Sequence, residues 1–523
     1  VTTDTPAEMP AEIPAEIGTD AFAGNYLAAR LRAASAGREQ ATFAHMPAHM
    51  PGAGAVSYAT LWTNAARMAG ALAAAGVKPG DRVAAQVPKS LAALEAYLGT
   101  VMAGGIFLPL NTAYTPAEIG YFLGDAEPAV FLCDPAKADA LAEAASAVPT
   151  LLTLDETGAG TLAEARDRAA PCAPVARGAD DLAAILYTSG TTGRSKGAML
   201  SHRNLASNSE TLAAYWGFTA EDMLIHALPI FHTHGLFVAT NVTLLAGGSV
   251  IFFAKFDADA ILGAMPRATA MMGVPTFYTR LLDHPGLAGD VAANMRLFVS
   301  GSAPLLPETH KAWEERTGHR ILERYGMTET NMNTSNPYDG ERRAGTVGFP
   351  LPGVELRIMS DGQEVAQGEP GVIEVRGPNV FQGYWRMPEK TAEELRPDGW
   401  FITGDIGTVD ADGYVSIVGR AKDLIISGGY NIYPREIEAL IDDIPGVLES
   451  AVIGVPHPDF GESVVAVVVK DGSVPALDGD AVSQALDGQL ARFKLPRRIE
   501  FVDALPRNAM GKVQKAELRK TYG

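Results

Sequence analysis

The chain has 523 residues, 47% hydrophobic and 20% charged, and its 42 Lys and Arg against 61 Asp and Glu leave a formal charge of −19. That balance belongs to a globular protein and excludes disorder or a fibrous fold for the bulk. The acidity excludes docking on nucleic acid or on an anionic membrane, which both need a positive surface, but leaves small anionic ligands open because a pocket can be locally basic.

At about 150 residues per domain the length predicts roughly three units, or one multi-lobed body with a smaller partner. The N-terminal VTTDTPAEMPAEIPAEIG carries no basic residue before Arg30. It fits neither a secretory signal nor a transit peptide, and residues 1–22 read as a flexible tail. Two cysteines, Cys133 and Cys172, exclude a disulfide framework, and a reducing cytoplasm fits. Leu61–Ala75 has helical spacing, Arg82–Gln86 is a short β-type run, and Leu91–Ala103 is helical again. Thr115-Pro116-Ala117-Glu118 is a capping box opening a helix to about Gly124, and Val130–Cys133 is a strand. This alternation predicts α/β layers with largely parallel pairing. Residues 155–180 lose the apolar period and read as a surface excursion. From Met223 to Ala254 there is no Asp, Glu, Lys or Arg. Pro229, three histidines and Gly247-Gly248 nevertheless argue for a buried strand–loop–helix–strand rather than a membrane span. After residue 350 short β-runs dominate, through Tyr414–Val418. A second α/β unit then brings a helix at Pro434–Asp442, strands at Ser450–Val455 and Val464–Val469, and a basic tail. The expected division is a tail (1–22), an N-terminal domain (23–419) and a C-terminal lid (420–523). The fold class is multi-lobed α/β, with a β-rich sub-lobe in the large domain and a small, mobile α+β C-terminal domain.

The strongest chemical signal follows the apolar run Ala184–Tyr187: Thr188-Ser189-Gly190-Thr191-Thr192-Gly193-Arg194-Ser195-Lys196-Gly197. Glycines let backbone N–H groups approach phosphate oxygens, hydroxyls add donors, and the lysine supplies a point charge. The spacing is not that of a Walker A loop, and Gly197 stands where that loop has a magnesium-binding hydroxyl.

With FHTHG (231–235), GSAPL (301–305), ERYGMTET (323–330), TGD (403–405), GRAKDLIISGGYNIYPREIE (419–438) and PRNAMGKVQK (506–515), the chain resembles the acyl-CoA synthetases of the adenylate-forming superfamily. The nearest likeness is to malonyl-CoA and methylmalonyl-CoA synthetases, through HALPIFHTHGL, GVPTFYTR (273–280) and NPYDGERR. The resemblance implies an ATP-dependent ligase. A carboxylate attacks the α-phosphorus to give acyl-AMP and pyrophosphate, and the CoA thiol then displaces AMP. Both steps build charge near one phosphate, so fixed cations and donors are expected to dominate catalysis.

Carried over by position, the resemblance gives Thr188, Ser189, Gly190, Thr191, Thr192, Gly193 and Lys196 to the β- and γ-phosphates. It gives Glu329 to Mg²⁺, Thr328 to the α-phosphate, Ser302, Ala303 and Tyr325 to adenine, and Asp405 with Arg420 to the ribose. Lys512 is the adenylation lysine and His232 joins the catalytic group. Gly428, Gly429 and Tyr430 match the loop that faces CoA, and Lys422 matches the hinge about which the lid rotates between half-reactions. The flank of Lys512 resembles sites of reversible acetylation, which implies an acetyltransferase and deacetylase as partners. Residues 491–523 hold nine Lys and Arg against three Asp and Glu. Of these, Arg492, Lys494 and Arg498 are candidates for CoA phosphates, while Lys515, Arg519 and Lys520 read as a solvated helix end.

For the acyl group, residues 223–254 contain no acid to hold an α-ammonium, so an amino-acid substrate is disfavoured. His232, Thr233, His234 and Arg280 do not make a fatty-acyl lining. Arg280 is expected to take a second carboxylate through its bidentate fork. Thr233 and Met327 would limit volume at the α-carbon, favouring malonate or methylmalonate, and Ser302 also borders the acyl group. Another short carboxylic acid, a luciferase-like oxygenase or a non-catalytic nucleotide-binding protein on the same fold are the alternatives.

Overall fold

The computed structural model describes residues 19–47, 53–188, 195–427, 430–457, 460–487, 489–490, 492–508 and 511–523. Two largely parallel sheets organise the large domain. In the first, strands Thr150–Thr153, Val130–Cys133, Arg82–Gln86, Ile106–Pro109 and Leu182–Thr188 run parallel, and Lys196–Ser201 folds back antiparallel on the last. In the second, Leu322–Met327, Leu297–Ser300, Ala270–Gly273, Met223–His226, Ser249–Phe252 and Thr42–Met46 run parallel; Asn331–Ser335 with Phe349–Pro350 and Gly54–Ser57 close its edges antiparallel. Helices Tyr58–Ala74 and Leu91–Met102 pack nearly backbone to backbone, and a Cβ on Gly99 would lie 2.5 Å from that of Met68. Leu91–Met102 is buried on almost every side, which is why its apolar residues run all round the helix.

An antiparallel sheet follows, ordered Gln363–Glu364, Glu355–Ser360, Gly371–Arg376, Phe401–Val409 and Val415–Arg420. Its last strand ends at Arg420, a 3₁₀ turn spans Ala421–Asp423, and the next sheet begins at Ile425. That sheet holds the long pair Val447–His457 and Gly461–Lys470, with Ile425–Ser427, Tyr430–Ile432 and Arg498–Val502 around it. Helices Pro434–Asp442, Gly479–Leu486 and Lys515–Tyr522 cover it.

The capping box at Thr115 forms as expected and starts the helix Pro116–Ala126. Residues 222–255 are the expected buried strand, loop, helix and strand, the helical part being a π-type segment at His234–Thr240 continued by Asn241–Ala246. Among the described residues no helix is long and apolar enough to cross a membrane.

Two expectations are corrected. Thr19–Phe22, expected in the tail, forms a turn whose Phe22 ring is buried edge-on against Trp62, at 5.5 Å. Within 155–180, Thr161–Arg168 is a helix rather than an irregular excursion. Its Leu162 is buried, and Arg166 pairs at 3.1 Å with Glu95, a carboxylate buried in the helix beneath. A buried acid needs a partner, and this segment supplies it.

Candidate active site

The carboxyl ends of the parallel strands of the second sheet feed the loops around one cleft, the usual place for a ligand in α/β sheets. Met223–His226 leads to His232, Thr233 and His234; Leu297–Ser300 leads to Gly301, Ser302 and Ala303; Leu322–Met327 leads to Thr328 and Glu329. Ser302 sits at φ 72°, a left-handed conformation costly for a residue with a Cβ, and its Oγ lies 3.3 Å from His234 Nδ1.

Two ion pairs and a tyrosine shared between carboxylates organise the rest of the cleft. Register in the antiparallel sheet sets Asp405 directly opposite Arg420, whose Nε lies 3.0 Å from Asp405 Oδ1. The Tyr325 hydroxyl donates to the other carboxylate oxygen at 2.6 Å, and burial followed by that carboxylate holds its pKa well above the usual value. Thr188 and Lys196 face each other across the hairpin that carries the phosphate motif. Ser189, Gly190, Thr191, Thr192 and Gly193 lie outside the described residues. Lys196 Nζ bonds Glu394 at 3.1 and 3.3 Å and stands 4.2 Å over the Tyr384 ring. The Tyr384 hydroxyl lies 3.0 Å from Glu329 and 2.6 Å from Glu394, one proton facing two carboxylates. Glu329 is buried, and burial raises its pKa although Tyr384 and Lys196 oppose the shift. A cation is what this carboxylate lacks. Among the described residues no three His, Cys, Asp or Glu side chains gather to hold a metal. Glu329 is a buried hard oxygen donor of the kind Mg²⁺ takes, and it would be the residue to hold such an ion.

Lys512 enters this cleft from the C-terminal domain on a short loop. Its backbone N–H donates to Asn508 Oδ1 at 3.0 Å, the Asn508 N–H donates back to its carbonyl at 2.9 Å, and Gly511 takes φ 75°, where a side chain would be strained. Water reaches Lys512, but the cleft walls crowd its ammonium and pull its pKa down to about 8; Arg420 and Arg324 add repulsion, and Asp405 and Glu329 oppose it. His232, half-buried, is pulled down to about 3 by burial, then by Lys512 and Arg324.

Three site expectations change. Arg280 is exposed, with its guanidinium over the Phe256 ring at 5.8 Å, while Tyr278 on the same helix is the residue turned into the core. Two residues are about 200° apart on a helix, so both cannot face inward. Lys494 is engaged with Glu436 at 2.7 and 2.8 Å and Arg498 with Glu500 at 3.3 Å, which removes both as unpaired cations for CoA phosphates. The C-terminal helix is not simply solvated: Lys515 pairs with Glu438 at 2.5 Å and Arg519 with Asp423 at 2.8 Å. Lys422 lies beside that anchor in the turn Ala421–Asp423. Gly428 and Gly429 lie outside the described residues, and Tyr430 begins the strand that follows them.

Sequence reasoning missed Arg324, Tyr384 and Glu394. Arg324 was legible as a charge inside the alternating strand LERYGM; Tyr384 and Glu394 carried no motif signal.

Residues 32–385 match the family described as AMP-binding enzyme, and residues 436–512 match the AMP-binding enzyme C-terminal domain. The chain belongs to the AMP-binding enzyme family. Within it the chain is an AMP-forming acyl-CoA synthetase, a CoA ligase. This synthetase is 59% identical to MatB of Rhodopseudomonas palustris, whose ATP-bound crystal structure it matches with a TM-score of 0.92 over 95% of this chain and 99% of that one. The apo form of the same protein matches with a TM-score of 0.83. It is also 40% identical to a feruloyl-CoA synthase of Amycolatopsis (92% of this chain, 96% of the relative). A malonate–CoA ligase of Arabidopsis thaliana is 35% identical (85% of this chain, 79% of the relative).

Proposed function

We propose that this synthetase activates malonate, with methylmalonate as a bulkier second substrate, and joins it to CoA. The observation that carries the reading is the acyl end of the cleft, where acid-free loops place Thr233 and His234 at 1% and 2% exposure beside a buried arginine, Arg324. Such a lining suits a short polar acid and not the aromatic body of ferulate, which asks for apolar contact. Likeness to MatB and to the Arabidopsis malonate–CoA ligase supports the same choice.

In the first half-reaction a malonate carboxylate oxygen bonds to the α-phosphorus and the bond to the bridging oxygen of pyrophosphate breaks. Lys512 lies between the attacking carboxylate and the α-phosphate, offsetting the charge that develops there. His232, held neutral, borders the same space. Thr328 contacts the α-phosphate, Thr188–Lys196 holds the departing phosphates, and Glu329 is the residue that would hold Mg²⁺, which lowers the charge on the phosphates when bound. Tyr325, Ser302 and Ala303 border adenine, and Asp405 with Arg420 orients the ribose. Thr233 and Met327 restrict volume at the α-carbon.

In the second half-reaction the CoA sulfur bonds to the acyl carbon and AMP leaves with its oxygen, while the thiol proton passes to solvent. Rotation about Lys422 withdraws Lys512 and brings the Gly428-Gly429-Tyr430 loop to the cleft. The charge argument also makes Lys512 the position at which acetylation would stop adenylation.

The test is a panel of malonate, methylmalonate, propionate and ferulate scored by CoA-dependent AMP release. The highest kcat/KM is expected with malonate; preference for propionate or ferulate overturns the reading.

A further inference from the structure

Arg324 occupies an unusual position. It is 3% exposed, and its Nε and Nη2 find no hydrogen-bond partner. The acid next to it in sequence cannot serve. Alternation along the strand Leu322–Met327 points Glu323 to the opposite face, where its Oε1 accepts the Leu305 N–H at 3.1 Å. Arg324 makes no ion pair among the described residues.

Around it lie other polar groups in the same condition. Thr233 Oγ1 and His234 Nε2 are buried without partners. The guanidinium lies against Gly301, and the next residue, Ser302, stands 3.3 Å from His234 Nδ1, so Arg324 and His234 flank one loop; the Arg324 charge accordingly helps to lower the pKa of His234 and His232. Buried polar groups are nearly always satisfied, and an unsatisfied cluster with a cationic centre calls for an anion. The guanidinium is also held in place: a Cβ on Gly301 would lie 2.4 Å from Arg324 Cζ and 2.5 Å from Nη1, so only glycine leaves it room.

We propose that Arg324, with Thr233 and His234 beside it, forms a dry subsite for the second anionic group of the acyl substrate, the one not activated by ATP. The inference rests on the reading of a short dicarboxylate and deepens it: the substrate class is an acetic acid bearing an anion on its α-carbon, whether carboxylate or sulfonate. Lys512 meets the carboxylate that is activated, and Arg324 meets the group that is not. A fixed guanidinium suits this task because its planar fork matches either anion and its charge needs no proton from the substrate.

The experiment measures kcat/KM for malonate, sulfoacetate and propionate in wild type, Arg324→Met, Gly301→Ala and Arg280→Ala, with ATP affinity by calorimetry as a check of the fold. Arg324→Met is expected to lose about 100-fold or more with malonate, because the remaining polar groups face an unpaired anion, and to keep or improve propionate. Gly301→Ala, which leaves the arginine but displaces it, is expected to shift selectivity in the same direction by less. Arg280→Ala stays within about twofold, as an exposed substitution does. ATP affinity is unchanged in all three. Equal loss of malonate and propionate in both Arg324→Met and Gly301→Ala, or full malonate activity in Arg324→Met, overturns the assignment while leaving the malonate reading intact. A wild type that takes sulfoacetate but not malonate, and loses it in Arg324→Met, overturns the malonate reading and supports the subsite.

Discussion

The two ends of the cleft solve opposite problems with similar residues. At the end proposed for the nucleotide most charges are answered within the protein: Asp405 by Arg420 and Tyr325, Lys196 by Glu394, Glu329 by the Tyr384 hydroxyl. At the end proposed for the acyl group Arg324, Thr233 and His234 keep buried polar atoms unanswered. ATP is large, highly charged and brings its own cation, so its site can hold itself together with exchangeable pairs and trade partners when phosphates arrive. A three-carbon acid brings little binding energy. A site for it gains selectivity by leaving groups unpaired until the right ligand fills them.

The largest effect that would sharpen this contrast is at the residue between the two ends. Lys512→Met should lower acyl-AMP formation by about 10²–10³-fold, the scale of losing one transition-state donor, while thioester formation from supplied acyl-AMP survives. Single-turnover assays of each half-reaction check it, and equal loss in both removes the step-specific role. With the Lys512 pKa near 8, the ammonium predominates below that pH and is lost above it. Adenylation kcat/KM is therefore expected to fall as pH rises through about 8, and this limb should vanish in the variant.

Asp405→Ala comes next. It strands Arg420 and removes the expected ribose contact, and the loss of a charged hydrogen bond of about 1.5–3 kcal/mol should weaken ATP roughly 10–100-fold with little change in malonate KM. ATP titration calorimetry measures it, and an unchanged affinity would show that the nucleotide end does not depend on this pair.

Glu394→Gln should have the smallest effect. It frees Lys196 from a partly exposed pair worth under about 1 kcal/mol, so ATP and pyrophosphate should bind up to about fivefold tighter and the salt dependence of ATP KM should steepen. Weaker ATP binding in this variant would mean that Glu394 assists the phosphates rather than competing for the lysine.

Much of this architecture was legible along the chain. The capping box at Thr115, the strand Arg82–Gln86, the helix Pro434–Asp442 and the acid-free stretch after Met223 are local patterns with local causes, and they formed where expected. The segments that carry Lys196, Asp405, Glu329 and Lys512 could be singled out along the chain because each sets several residue types at short fixed spacings; their roles belong to the proposed reaction. The helix Thr161–Arg168 was missed because its reason to exist is Glu95, more than sixty residues earlier and invisible to a local window.

Arg280 and Arg324 show the same limit at the site. Both are arginines in plausible motifs, and nothing in composition or spacing separates them. The sequence by itself determined the family and the reaction class, because those follow from contiguous motifs. Only the tertiary structure decided which arginine is buried, since burial depends on which helix face meets which strand, and which carboxylate meets Lys196, since Glu394 comes from a helix almost two hundred residues further along the chain.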